Sequence, residues 1–310
     1  MSTPRPGASL ALPAGMQVFQ RGWLSANNVL FTAPDDNVLV DTGYVSHAPQ
    51  TLALVESALQ GQPLHRILNT HLHSDHCGGN AALQARYGAR TCIPAGEADA
   101  VRDWDEARLS YRATGQQCPR FAFDSTCKPG DHFLLGGLQW QALAAPGHDP
   151  HSLLLFCADE GILMSADALW ENGFGVIFPE LEGEPGFEDA AATLDLIATL
   201  DARLVIPGHG APFTDLQSAL QRARKRLDYL AADPARNAQN GVKVLVKFLL
   251  LDQREIGLDA LRRMMDEIPL LASADRRYLH LGAQGMSDWV AAQLVKAGVA
   301  RLQGGSLVDC

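Results

Sequence analysis

Thr70-His71-Leu72-His73-Ser74-Asp75-His76-Cys77-Gly78-Gly79 places four potential metal ligands within six positions, directly before a pair of glycines. Neither a core nor a surface segment needs that density of imidazole and carboxylate, whereas a bound metal ion does. In extended chain, residues 71, 73 and 75 point to one side, so His71 and His73 can reach a common ion with ring nitrogens about 2 Å away. Asp75 and His76 are neighbours, and a regular strand would send them to opposite faces. The chain must therefore turn there; Gly78 and Gly79 permit the turn and open the next helix, aiming Asp75 and His76 at a second ion.

Working outward, three more candidates end apolar, strand-like runs: His148 in Ala145-Pro146-Gly147-His148, Asp167 in Met164-Ser165-Ala166-Asp167, and His209 in Ile206-Pro207-Gly208-His209-Gly210. The ends of such runs are where loops gather over a sheet edge. The candidate metal ligands are thus His71, His73, Asp75, His76, His148, Asp167 and His209. Imidazoles and carboxylates without a cysteine suit zinc best, with iron or manganese also accepted. Two ions per chain, about 3.5–4 Å apart, can share a water and lower its pKa towards neutrality.

Around these residues, short β-prone runs at Met16–Arg21, Asn27–Thr32 and Asn37–Asp41 read as an antiparallel meander closed by Asp41-Thr42-Gly43. Further strands fit Arg66–Asn69, Phe133–Leu135, Gln139–Ala144, Ser152–Cys157, Gly161–Ser165 and Leu204–Ile206. Helical patterning covers Pro49–Gln60, Gly79–Tyr87, Glu97–Ala113 and Glu188–Leu200. Ser125-Thr126-Cys127-Lys128 fits a serine β-lactamase SxxK, but no KTG or SDN accompanies it and the match is read as chance. His65, His132 and His280 have no such context, and His47 and His151 are read as structural although they lie near the site loops.

The chain has 310 residues, 47% of them hydrophobic, enough to bury a large core. No apolar run is long enough to span a membrane, and Met1–Gly15 lacks the pattern of an export signal. Six cysteines at irregular spacings are expected to be reduced thiols of a cytoplasmic protein. Residues 1–214 hold 11 Lys and Arg against 24 Asp and Glu, while 215–310 hold 14 against 11. That charge shift falls just after His209 and sets an expected boundary between domains 1–214 and 215–310.

The Thr-His-Leu-His-Ser-Asp-His run, with His148, Asp167 and His209 following in that order, resembles the metallo-β-lactamase-fold hydrolase superfamily over residues 16–214. The resemblance implies an α+β fold, a four-layered αβ/βα sandwich with the metals at one edge of its two sheets. It assigns His71, His73 and His148 to the first metal, Asp75, His76 and His209 to the second, and Asp167 to a bridge. Asp41 matches the family's aspartate that orients a ligand through a hydrogen bond. Asp75 would also be catalytic, accepting a hydrogen bond from the attacking hydroxide. With Asp167 where many true β-lactamases carry a cysteine, the pattern is similar to hydroxyacylglutathione hydrolases, lactonases and the nuclease branch.

Residues 215–310 read as helices Gln217–Ala231, Val242–Leu251, Leu258–Glu267 and Ser287–Ala297, then a hairpin turning at Gly304-Gly305, which is similar to a small winged-helix-like C-terminal domain. Its basic cluster Arg222, Arg224, Lys225 and Arg226 reads as a solvated helix face, and a net charge of +3 is weak for nucleic acid. Two segments are expected to shape the pocket: 101–119, with Trp104, Tyr111 and Arg112, and 170–187, with Trp170, Phe174, Phe178 and Phe187. The function expected is hydrolysis of a small ester-like bond, a thioester of glutathione or coenzyme A or else a lactone. The alternatives are a phosphodiesterase or ribonuclease, or a non-catalytic nucleic-acid-binding regulator. The expected partner is a small-molecule substrate, with a homodimer left open.

Overall fold

A computed structural model describes residues 12–310; most of the Met1–Gly15 stretch, where no export signal is expected, lies outside it. The first sheet runs in the order β1 (Met16–Phe19), β2 (Asn28–Phe31), β3 (Val38–Val40), β4 (Arg66–Leu68), β5 (Arg90–Pro94) and β6 (Ser125–Cys127). Its first three strands are the expected antiparallel meander, and β3 to β6 pair in parallel. The second sheet contains β7 (His132–Leu135), β8 (Leu138–Ala144), β9 (Leu153–Cys157), β10 (Ile162–Ala166) and β11 (Leu204–Pro207), ordered β11-β10-β9-β8-β7. All its pairs are antiparallel except β10–β11.

Helices cover the outer faces, α1 (Ala48–Leu59) and α3 (Asn80–Tyr87) on the first sheet and α7 (Phe187–Thr199) and α8 (Leu216–Ala231) on the second, while the short helices α2 (Ser74–Cys77), α4 (Ala98–Asp103), α5 (Tyr111–Thr114) and α6 (Phe178–Glu182) lie in the connections. Period-two alternation explains the layering. In β2, Val29 and Phe31 face inward to join Trp140, Leu155 and Ile206 of the second sheet, while Leu30 faces outward onto Val55 and Leu83 of α1 and α3. In β9 and β10, Leu154 and Leu163 face outward onto Leu194 of α7 and Leu220 of α8. Helix, sheet, sheet, helix is the expected four-layered sandwich.

The chain continues through α9 (Pro234–Gln253), β12 (Glu255–Gly257), α10 (Leu258–Glu267), α11 (Pro269–Ala274), α12 (Gly282–Lys296), β13 (Ala300–Gln303) and β14 (Ser306–Asp309). The three strands form an antiparallel sheet ordered β12-β14-β13, with the Gly304-Gly305 turn between the last two. The segment is mostly helical, as expected. Asp233 starts α9, its carboxylate accepting from the Ala235 amide and Pro234 following at the first helical position. Among the described residues no helix is long and apolar enough to cross a membrane.

Several elements differ from expectation. The single helix foreseen at Glu97–Ala113 is broken, because Trp104 and Ser110 take left-handed backbone, with φ of 56° and 65°, and end α4 well before α5. β5 and β6 were not foreseen, nor was β12, since three to five residues such as Ser125-Thr126-Cys127 offer no alternation to read. The sheets meet along a seam of backbone hydrogen bonds, Leu153 N–H to the Thr70 carbonyl at 2.9 Å and Asn27 N–H to Gly208 at 2.7 Å; on the first sheet's own side Ala26 N–H meets the Asp75 carbonyl at 3.0 Å.

Candidate metal centre

Every candidate ligand stands where a strand ends at this seam. β4 delivers Thr70 and His71; His73, still extended at φ −62° and ψ 147°, caps the single turn α2, which swings Asp75 and His76 inward. The turn itself does the redirecting, and Gly78 is ordinary right-handed backbone at φ −60°. The two glycines serve close packing instead: a Cβ on Gly78 would lie 2.6 Å from the Val45 nitrogen, and one on Gly79 would lie 2.5 Å from the Thr42 carbonyl oxygen. β8 leads to His148 and β10, after a bulge between Met164 and Ala166, to Asp167; β11 leads to His209.

The seven side chains gather into two groups: His71, His73 and His148, and Asp75, His76, Asp167 and His209, with the candidate donor atoms of each group all within 4.8 Å of one another. His73 Nδ1 and His148 Nε2 are 2.8 Å apart, and His209 Nε2 lies 3.0 Å from Asp75 Oδ2. Asp167 joins the groups, with Oδ1 3.5 Å from His76 Nε2 and Oδ2 3.4 Å from His148 Nε2 and 3.8 Å from His209 Nε2. Gly208 leaves room for that carboxylate, since a Cβ there would overlap Asp167 Oδ1.

The histidines are held by their far nitrogens, a pattern that fixes which nitrogen faces an ion. His76 Nδ1–H donates to Asp41 Oδ2 at 2.7 Å, and His148 Nδ1–H donates to the Val176 carbonyl at 2.6 Å. Asp41 is itself fixed by the Thr70 amide at 2.9 Å and the Thr70 hydroxyl at 2.7 Å. The Nε2 atoms of His71 and His76 are buried without any hydrogen-bond partner. Buried polar atoms left unpaired are costly, and here they point among carboxylates and imidazoles. The donor set therefore fits divalent cations.

Protonation fits for the His71, His73 and His148 group. Burial lowers the pKa of His73 and of His148 to about 4, and drives that of His71 well below the usual imidazole value, so all three are neutral donors at neutral pH. At His76 burial also opposes the charged form, but Asp41, Asp167 and Asp75 outweigh it and raise the pKa well above normal. Burial works against ionised Asp75 and Asp167 as well; the surrounding histidines outweigh it and hold both carboxyls below their usual range.

The donors His73, Asp75, His148, Asp167 and His209 face one cavity of about 620 Å³. Of the expected pocket residues Trp170 and Phe178 line it: Trp170 donates its indole N–H to Asp167 Oδ1 at 3.2 Å, and Phe178 stands edge-on to His73 at 5.2 Å. Trp104 and Tyr111 instead pack into a core cluster with Phe121, and the Tyr111 hydroxyl meets Cys77 Sγ at 3.1 Å. Arg112 is exposed on the far side of α5, and the segment reaches the cavity through Thr114 and Gln116. Phe174 lies beneath Arg226, 5.1 Å from ring centroid to guanidinium, and lines only a small recess behind His148 and Asp167.

Several contributors escaped the sequence reading. Trp23 stacks on His209 at 5.5 Å, and Asp149 Oδ2 sits 3.6 Å from His73 Nε2. Only Asp149, directly after a candidate ligand, carried a readable signal. Arg226, Lys243 and Phe248, all beyond residue 214, also line the cavity.

Comparison with known proteins agrees with this geometry. The family model described as the metallo-beta-lactamase superfamily matches residues 21–209. A hydroxyacylglutathione hydrolase of Anaeromyxobacter dehalogenans is 32% identical over 236 residues, 72% of this chain and 81% of that one. One from Brucella anthropi is 28% identical over 208 residues, 63% of this chain and 67% of its own, and for a third, from Rhizobium etli, the matched stretch spans 61% of the relative. A beta-lactamase domain protein from Burkholderia ambifaria, 20% identical, superposes with a TM-score of 0.58 over 100% of this chain and 96% of its own. A metallo-beta-lactamase family protein from Thermus thermophilus, 19% identical, does so at 0.57 over 97% and 100%. The strand-end placement of the donors, the carboxylate between the two groups and the match over residues 21–209 lead to one conclusion: the chain belongs to the metallo-beta-lactamase superfamily.

Proposed function

We propose that this chain is a two-zinc hydrolase of thioesters, taking a small-molecule substrate whose thiol carrier is anionic, glutathione or coenzyme A. The observation that carries the reading is Asp167, whose two carboxylate oxygens face donor nitrogens of both groups at 3.4–3.8 Å. His71, His73 and His148 would hold one ion and Asp75, His76 and His209 the other, with Asp167 between them. Such a pair of ions, when bound, acidifies a shared water and polarises the scissile carbonyl. Asp75 is placed to accept a hydrogen bond from the attacking water and to hold its direction. Trp23 and Trp170 close the His209 side against bulk solvent, meeting edge to face at 5.4 Å.

Two cations support an anionic carrier. Arg226 and Lys243 line the cavity, and among the described residues neither has a carboxylate within ion-pair distance. Residues 1–214 supply all the donors, whereas 215–310 wall the cavity. The relatives named hydroxyacylglutathione hydrolase favour a thioester over a lactone.

The test is metal analysis of the purified protein, followed by a panel of S-lactoylglutathione, acyl-CoA, homoserine lactone, nitrocefin, bis-p-nitrophenyl phosphate and single-stranded RNA. Two equivalents of zinc with turnover of a thioester are expected. Turnover of RNA alone would overturn the proposal.

A further inference from the structure

The cavity extends well past the donors, and its far walls come from the C-terminal segment. Along α9 it is lined by Leu245 and by the series Asn240, Lys243, Val244, Lys247, Phe248 and Leu251. Steps of three and four keep these on one face of the helix, and at the α-helical rise they make a stripe about 16 Å long. Leu294 and Ala297 of α12 and Val299 before β13 line the same cavity. Away from Arg226 and Lys243, the wall is largely hydrocarbon.

The polar members of the stripe do not change that character. The Lys247 ammonium is drawn to the Asp309 carboxylate and the Val299 carbonyl, so its methylene stem, not a free charge, borders the space. Phe248 is fixed edge-on against Tyr44 at 4.9 Å. Val244 is 43% exposed, an unusual position for a valine on a helix whose neighbours Leu245 and Val246 are buried, and its exposed surface faces this cavity. A lactoyl group has only a single methyl to place against such a wall.

We propose that the α9 stripe is an acyl-chain channel, and that the substrate is a thioester whose acyl group carries an unbranched medium-length alkyl chain. The inference rests on the thioester reading of the same site. The carbonyl sits at Asp75 and Asp167, and the chain lies along Val244, Phe248 and Leu251 towards Leu294 and Val299. Each methylene withdrawn from water contributes about fourfold to kcat/KM.

The test is a ladder of acetyl, butanoyl, octanoyl and dodecanoyl thioesters of coenzyme A and of glutathione, with kcat/KM measured on the zinc-loaded protein. A rise on the order of a hundredfold from butanoyl to octanoyl is expected. Val244→Trp narrows the stripe and is expected to lower kcat/KM for octanoyl at least tenfold more than for acetyl. In parallel, S-octylglutathione and S-methylglutathione, thioethers that cannot be hydrolysed, are titrated calorimetrically. If the octyl thioether binds far tighter, with a negative heat-capacity change, while no thioester is turned over, the channel stands and the thioester reading falls. If thioesters are turned over with kcat/KM flat or falling along the ladder, and the octyl thioether binds no tighter than the methyl, the channel is overturned while the reading of the metal centre survives.

Discussion

Asp41 acts on the centre through one imidazole. It takes left-handed backbone at φ 57°, accepts two hydrogen bonds from Thr70, and accepts a third from His76 Nδ1–H. Asparagine tolerates that backbone, so Asp41→Asn keeps the shape while removing the charge and replacing one of the two acceptor oxygens by an NH2 that cannot accept. The expected result is a tenfold to hundredfold loss of metal affinity, measured by chelator competition, roughly as for other partners behind ligand histidines. Glu97 offers a test away from the metals. Burial, then Asp149, push its carboxyl up to about 8 despite Arg108, so the folded protein holds a proton there that the unfolded chain has lost. Its stabilising contribution is complete below the ordinary glutamate pKa and disappears as pH rises through about 8. Glu97→Gln is therefore expected to raise the melting temperature at pH 9 relative to wild type and to leave it unchanged at pH 4; an equal change at both would contradict the assignment. The ligands and Asp41 were legible because ionisable residues crowded beside glycines have no packing use. Trp104 and Tyr111 misled because an aromatic near a motif serves a core as readily as a pocket.

Strand ends, not strands, carry the chemistry at the scale of elements, and small residues there are set by space. Gly208 precedes His209 on the loop after β11, and a Cβ on it would overlap Asp167 Oδ1 and come within 3.0 Å of His76 Cε1. Gly208→Ala is expected to lower activity at least tenfold by pushing the carboxylate off position, while the melting temperature of the metal-free protein moves by only a few degrees. Atomic absorption and calorimetry on the same sample separate the two effects. The meander, β7 to β11 and α10 were readable from alternation and periodicity. The break between α4 and α5 was not, because left-handed backbone at Trp104 and Ser110 is imposed by tertiary packing and neither residue advertises it.

Across the whole molecule, the charge states of the centre make the metal-free fold sensitive to acid. His71, His73 and His148 are buried neutral, the latter two with pKa about 4 against 6.5 in the unfolded chain. Between those values the unfolded state binds more protons, so stability rises with pH from about 4 to 6.5. Asp75 and Asp167, held below the usual carboxylate range, act in the same direction and lose their contribution at lower pH still. His76 acts oppositely: its raised pKa stabilises below 6.5, and that contribution fades as pH climbs through its folded value. Melting temperatures of chelator-treated protein are expected to climb from about pH 4.5 to 6.5 and then level or fall; a flat acid limb would contradict the neutral histidines. The sandwich was legible through its motif order, but the wall contributed by α9 was not, since a helix pattern does not say which cavity it will face.

The seam where Leu153 and Asn27 bond across to Thr70 and Gly208 is made of backbone groups and of the Asn27 side-chain amide, which donates to the Pro207 and Gly210 carbonyls, so none of its bonds involves an ion. A zinc finger, by contrast, folds only when its metal arrives. Here ion loading is expected to be decoupled from chain folding, with the stripped centre keeping the shape of the loaded one. Chelation should leave the far-ultraviolet dichroism unchanged, and adding zinc back should restore activity in a single second-order phase, with no slow unimolecular step.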